Sequence, residues 1–166
     1  MSTVQAATRN QGRTPWDKET ALRRIRESFQ REGPLLPILH ALQEEFGYID
    51  EAAEPVIAEE LNITRAEVHG VLTFYHDFRR EPAGRHVLRL CRAEACQAAG
   101  GDALADHAER RLGIKLGNTT ADGRMTMEPV YCLGLCSVSP SAMIDGRVVA
   151  RLDAKKLDTL LAEADR

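Results

Sequence analysis

The chain has 166 residues, a net charge of −3 at pH 7 and a pI near 6.0. One compact domain or two small ones fit this length. The weakly acidic balance gives no reason to expect nucleic-acid binding, and no apolar run approaches the roughly 20 residues of a membrane-spanning helix, so we expect no membrane insertion. The polar opening segment lacks the apolar core of a secretory signal, which predicts a cytoplasmic protein. Structural disulfides are rare in that reducing compartment, so the four cysteines need another explanation.

Helical periodicity runs from Asp17 to about Phe78 and predicts a small bundle of four helices. The first helix carries Ile25 and Phe29 at helical spacing and ends before Gly33-Pro34. Three further helices are predicted: one over Leu35–Phe46 stopped by Gly47, one that begins at Asp50 or nearer Ala53 and runs to Leu61, and one opened by the capping box Thr64-Arg65-Ala66-Glu67.

A linker at residues 79–84 separates this bundle from an α/β pattern. Two short strands are predicted, Val87–Leu90 and Met125–Tyr131, and each delivers a cysteine at its end. An amphipathic helix over residues 102–112, a hairpin turning at Asp145-Gly146 and a final helix capped by Asp153 complete the pattern. The predicted fold class is α+β, with a flexible segment at residues 1–16, a small helical bundle at 17–80 and an α/β domain at 81–166.

The four cysteines form two close pairs, Cys91-x4-Cys96 and Cys132-x3-Cys136, and each pair follows a predicted strand. Two loops at the same end of neighbouring strands can bring four sulfurs together. Four thiolates suit either Zn²⁺ or an iron–sulfur cluster. Structural zinc sites favour Cys-x2-Cys pairs, whereas the wider spacings here favour a ligand set spread over two irons, with zinc as the alternative.

The residues around the cysteines also favour an iron–sulfur cluster, because its negatively charged sulfurs need hydrogen-bond donors and few neighbouring carboxylates. Gly134 permits unusual backbone angles within the second pair. Ser137 and Ser139 offer hydroxyl donors, and Arg92 adjoins the first cysteine. No acidic residue occurs between Cys132 and Ser141.

Three segments, LCRAEAC, LGNTTADGRMTMEPVYCLGLC and SVSPSAMIDGRV, resemble the thioredoxin-like [2Fe–2S] ferredoxin family. That family includes the 24-kDa subunit of respiratory complex I and the small subunits of NAD-reducing hydrogenases and NAD-dependent formate dehydrogenases. The segments LLPILHALQEEFGYID and LNITRAEVHGVLTFYHDF resemble its helical domain. The resemblance implies a thioredoxin-like fold for residues 81–166 and one [2Fe–2S] cluster bound by Cys91, Cys96, Cys132 and Cys136.

The resemblance also implies electron transfer between this cluster and a partner subunit that binds FMN and NAD. The stretch CLGLCSVSPSAMIDGRV is most similar to the gamma subunit of NAD-dependent formate dehydrogenase, whose complex includes a formate dehydrogenase subunit with the molybdenum cofactor. The equivalent subunit of complex I (NADH:quinone oxidoreductase) or of a NAD-reducing hydrogenase is the alternative. A zinc-stabilised structural adaptor and a thiol oxidoreductase are hypotheses of other classes, and the absence of any Cys-x-x-Cys counts against the second.

No catalytic site is expected within the chain itself. No glycine-rich phosphate loop precedes a helix, so FMN and NAD are expected only on partner subunits. Glu54, Glu59 and Glu60 are interpreted as a solvated helix face. Pro140 is similar in placement to the cis-proline of thioredoxin folds. The histidines show no ligand spacing with the cysteines; they are His40, His69, His76, His86 and His107.

Overall fold

The computed structural model describes residues 15–29 and 32–164. The described residues fall into two compact units, residues 15–82 and residues 83–164. Most of the segment predicted to be flexible, residues 1–16, lies outside the described part of the chain. Among the described residues, no helix has both the length and the apolar character needed to cross a membrane.

Local capping interactions set the bounds of the helices in the first unit. The helices are α1 Lys18–Ser28, α2 Leu35–Phe46, α3 Ala53–Leu61 and α4 Arg65–Phe74. The Asp17 carboxylate accepts a hydrogen bond from the Thr20 N–H at 2.8 Å and begins α1. Gly47 ends α2 in the left-handed conformation at φ 80°. The reciprocal hydrogen bonds of Thr64 and Glu67 begin α4, which confirms the predicted capping box.

The third helix begins at Ala53, the later of its two predicted starts. Pro55 therefore falls in the first turn, where its missing N–H costs no helical hydrogen bond. Asn62 ends the helix in the left-handed conformation, with its N–H donating to the Ala58 and Glu59 carbonyls.

The apolar faces of the four helices meet in one core, although three aromatic residues stay outside it. Phe29, Phe74 and Tyr75 are exposed, at 47%, 73% and 43% of their surface, so the aromatic end of α4 is not wholly a core element. The largest buried core side chains are Ile25, Ile38, Leu39, Leu42, Phe46, Ile49, Ile57, Leu72 and Phe78.

One acidic residue of α3 is buried, which corrects its interpretation as part of a solvated face. The Glu54 side chain is only 2% exposed and lies 2.7 Å from Arg80 Nη1. Arg65 Nε and His69 Nδ1 also approach its carboxylate oxygens, at 3.4 and 3.3 Å. These basic groups compensate a carboxylate that burial alone would disfavour.

A mixed four-stranded sheet forms the second unit and confirms the predicted α+β class. Its strands are β1 His86–Cys91, β2 Met125–Val130, β3 Ala142–Ile144 and β4 Arg147–Val149. They lie in the order β2-β1-β3-β4, with β1 and β2 parallel and the other two pairings antiparallel. Cys91 pairs with Val130, so the carboxyl ends of β1 and β2 meet at one edge of the sheet.

Three helices accompany the sheet: α5 Glu94–Ala98, α6 Gly101–Leu112 and α7 Ala154–Ala164. The short α5 was not predicted, and it contains Cys96. Asp153 Oδ1 accepts a hydrogen bond from the Lys156 N–H at 2.8 Å, as expected for the cap of α7. The Ser139–Pro140 peptide bond, just before β3, is cis. The largest buried side chains of this unit are Leu88, Met125, Met127 and Leu157.

Candidate metal centre

The first cysteine pair lies at the end of the central strand and in the helix that follows. Cys91 is the last residue of β1 and Cys96 lies in α5, with only 4% and 1% of their surfaces exposed. The Cys91 N–H donates to the Ser141 carbonyl at 3.1 Å, and the Arg92 N–H donates to the Val130 carbonyl at 2.8 Å. These bonds fix the first cysteine against both neighbouring segments of the sheet.

The second pair follows β2 and is exposed to solvent. Cys132 has a positive φ of 100°, which is unusual for a residue other than glycine. This backbone conformation costs about 1–3 kcal/mol. The Gly134 N–H donates to Cys132 Sγ at 3.3 Å. Cys136 begins a 3₁₀ turn, Cys136–Val138, and its sulfur lies 3.7 Å from that of Cys132. Two sulfurs bound at about 2.3 Å to one tetrahedral metal would lie about 3.8 Å apart, so this pair is spaced for a shared metal ion.

The two cysteine loops lie next to each other at the edge where β1 and β2 end. The backbone N–H groups of Cys132 and Leu133, in the second loop, and that of Ala93 lie near the Cys91 sulfur. Burial raises the pKa of the Cys91 thiol, but these donors and the Cys96 thiol outweigh it and lower the pKa overall.

Repulsion between neighbouring thiolates opposes the ionisation of all four cysteines when no metal is bound. The hydrogen bond to Cys132 and the charge of its thiolate raise the pKa of Cys136, and Cys91 and Cys96 add to the effect. Four thiolates therefore require positive charge among them. Backbone donors aimed at sulfur suit an iron–sulfur cluster, whose reduced state carries still more negative charge. The donor set thus fits a [2Fe–2S] cluster. Within residues 15–29 and 32–164, no three His, Cys, Asp or Glu side chains are arranged around a single-ion site.

A third serine, rather than the predicted Ser137 or Ser139, contacts a cysteine sulfur in the described part of the chain. Neither the Ser137 nor the Ser139 hydroxyl bonds to a cysteine sulfur among the described residues, whereas Ser141 Oγ lies 3.5 Å from Cys96 Sγ. Arg92 forms an ion pair with Asp102 at 2.9 Å. Sequence reasoning missed Ser141 because it follows the second cysteine pair yet contacts the first.

The comparisons with known proteins agree with this geometry. Residues 20–165 match the family model described as thioredoxin-like [2Fe-2S] ferredoxin. The chain belongs to this family. A [2Fe–2S] cluster is therefore its cofactor. The resemblance noted in the sequence is confirmed over most of the chain.

Curated relatives include small subunits of two kinds of redox complex. A NADH-quinone oxidoreductase subunit from Pseudomonas aeruginosa is 43% identical over 64% of this chain and 64% of its own length. The corresponding Escherichia coli K12 protein is 39% identical over 74% of each chain. The HndA subunit of the NADP-reducing hydrogenase from Solidesulfovibrio fructosivorans is 31% identical, covering 81% of this chain and 78% of its own.

A solved structure supports the fold. The chain aligns with the crystal structure of an air-oxidised NAD+-reducing [NiFe]-hydrogenase at 29% identity and a TM-score of 0.68, covering 79% of this chain and 22% of the hydrogenase chain. The match therefore concerns one part of a much longer polypeptide. The aligned part of the hydrogenase chain therefore has a fold similar to that of this chain.

Proposed function

We propose that this chain is an electron-transfer subunit that holds one [2Fe–2S] cluster on Cys91, Cys96, Cys132 and Cys136. The observation that supports the proposal is that the two cysteine loops lie at the edge where β1 and β2 end. In the second loop, the Gly134 N–H donates to the Cys132 sulfur. When bound, the cluster accepts and returns one electron at a time. The chain supplies the thiolates, the donors that stabilise their charge and a loop free of carboxylates.

The proposed partner is a subunit that binds flavin and NAD. A hydride carries two electrons and the cluster carries one, so a flavin is needed to convert between them. The names of the relatives support this role: NADH-quinone oxidoreductase, an NADP-reducing hydrogenase and an NAD+-reducing hydrogenase. They favour a complex of those two kinds over formate dehydrogenase. The gamma-subunit assignment and its molybdenum-containing partner stay predictions from the resemblance alone.

Uneven burial of the cysteines suggests the side from which the partner approaches. Cys91 and Cys96 are buried, whereas Cys132 and Cys136 are exposed. Tyr131, beside the second pair, is 76% exposed, and the segment from Tyr131 to Cys136 carries no charged side chain. An uncharged, exposed loop next to two ligands is suited to close contact with a redox partner.

Cluster content tests the first part of the proposal. Anaerobically purified chain should contain about two irons and two acid-labile sulfides, and dithionite should produce one S = 1/2 EPR signal of about one spin. Colourless protein with one tightly bound zinc would instead support the structural adaptor.

The complex is identified by purifying it intact through a tag on this chain and assaying which donor or acceptor couples to NAD. Quinone-dependent oxidation of NADH or hydrogen-dependent reduction of NAD is the expected outcome. Formate-dependent reduction of NAD would restore the formate dehydrogenase assignment. The chain alone should catalyse none of these reactions.

A further inference from the structure

Ser141 is a buried serine whose side chain contacts the sulfur of one proposed ligand. It is 3% exposed, and its hydroxyl oxygen lies 3.5 Å from the sulfur of Cys96, which is 1% exposed. It is the one serine or threonine hydroxyl found bonded to a cysteine sulfur in the part of the chain that the structure describes. A thiolate sulfur has no proton to give, so once Cys96 is ionised the hydroxyl must be the donor.

The backbone around Ser141 is held by its own hydrogen bonds and does not depend on the sulfur contact. The Ser141 carbonyl accepts the Cys91 N–H at 3.1 Å, and the neighbouring Pro140 carbonyl accepts the Leu152 N–H at 2.9 Å. Removing the hydroxyl should therefore leave the loop in place. Because both groups are buried, water does not readily replace the lost donor.

We propose that Ser141 raises the reduction potential of the cluster by donating its hydroxyl hydrogen to the Cys96 sulfur. The inference rests on the proposed function, since it requires Cys96 to be a ligand. Reduction adds one electron, supplied by the partner or by a chemical reductant. Part of the charge of that electron reaches the Cys96 sulfur. The hydroxyl proton of Ser141 stays on its oxygen throughout. A donor to that sulfur thus stabilises the reduced state more than the oxidised state.

The test is an EPR-monitored potentiometric titration of the cluster-loaded full chain. In Ser141→Ala, we expect an unchanged iron content and a tenfold lower ratio of reduced to oxidised cluster at a fixed potential, which corresponds to a midpoint about 59 mV more negative. Thr159→Ala is the control: this residue lies in α7 of the same unit, is exposed, and its hydroxyl donates to the Lys155 carbonyl at 3.0 Å. It should keep the wild-type potential.

A second pair of variants keeps the proposal testable if Ser141→Ala does not retain the cluster. Ser141→Thr and Ser141→Val have nearly the same shape and differ in the hydroxyl. The threonine variant should have the higher potential. Equal potentials in this pair, or a wild-type potential in a fully loaded Ser141→Ala, would overturn the proposal. Retention of the cluster by threonine alone would also overturn it, because the hydroxyl would then hold the cluster rather than tune it. A wild-type chain that binds no cluster would instead refute the proposed function.

Discussion

A methyl group added at Gly101 should disrupt the cluster site, although the residue is not a ligand. Gly101 is the first residue of α6, and it packs closely against the backbone of Cys96. A Cβ there would lie 2.6 Å from the Cys96 carbonyl oxygen, whereas ordinary contact begins at 3.4 Å, so the Cys96 backbone must retreat by about 0.8 Å.

Two opposing effects decide the outcome of Gly101→Ala. Alanine favours the helix over glycine by about 1 kcal/mol, while forcing a group into a packed site costs about 1–3 kcal/mol. The clash therefore equals or exceeds the gain in stability. Its effect on the cluster should be larger, because metal–ligand distances tolerate only about 0.2 Å. We expect the iron content to fall to less than about half of the wild-type value.

The measurement is iron and acid-labile sulfide per chain, with visible absorbance, after anaerobic purification. Gly70→Ala is the matched control, since Gly70 lies inside α4 and a Cβ there meets nothing within 4 Å. It should keep the full cluster and stabilise its helix by about 0.5–1 kcal/mol. A Gly101→Ala chain with full iron content and wild-type stability would show that the close approach to Cys96 does not constrain the site.

The remaining predictions concern the proposed ligands, the buried Glu54 and the helical unit. Replacing any one of the four proposed ligands by Ala should abolish the [2Fe–2S] EPR signal, while His107→Ala should not; an unchanged signal in one cysteine variant would remove that residue from the ligand set. Glu54→Ala should destabilise the helical unit by about 3 kcal/mol. This value is the lower end of the range for breaking a buried ion pair, because Arg65 and Arg80, which pair with Glu54, reach solvent. Hydrogen exchange in α3 and α4 should accelerate about a hundredfold. Burial raises the pKa of Glu54, but His69, Arg80 and Arg65 lower it overall from 4.5. The stabilisation that Glu54 provides is therefore present above pH 4.5 and is lost as the pH falls through the folded-state pKa. If wild type and Glu54→Ala still differed as much in stability under acid, this explanation would be wrong. A chain beginning near Ala83 should keep the [2Fe–2S] spectrum but lose co-purification with the proposed flavin subunit, because we expect the exposed Phe74 and Tyr75 of the helical unit to contribute to that contact. Equal co-purification would show that the helical unit takes no part in docking.

Local rules predicted the fold best where they act within a few residues. The capping box at Thr64, the glycine at position 47 and the Asp145-Gly146 turn all lie where the sequence predicts them, because each depends on neighbouring backbone groups. The start of α3 was left open between two positions. Phe29 follows the helical spacing of its segment yet is exposed, since periodicity marks a face without specifying what covers it.

The candidate site was predictable as a set of residues but not as a set of contacts. Two predicted strands that each end at a cysteine allow the two loops to meet, provided the strands are parallel neighbours, as the pairing of Cys91 with Val130 shows them to be. The hydrogen-bond donors to the cysteine sulfurs could not be predicted in the same way. Ser137 lies next to Cys136 in sequence and makes no bond to a sulfur within the described residues, whereas Ser141 reaches Cys96 across 45 positions. That contact requires β3 to pair with β1, which places the residue before β3 beside the end of β1. A hydrogen bond to a ligand sulfur thus depends on strand order, and strand order is the part of the fold that local sequence patterns specify least.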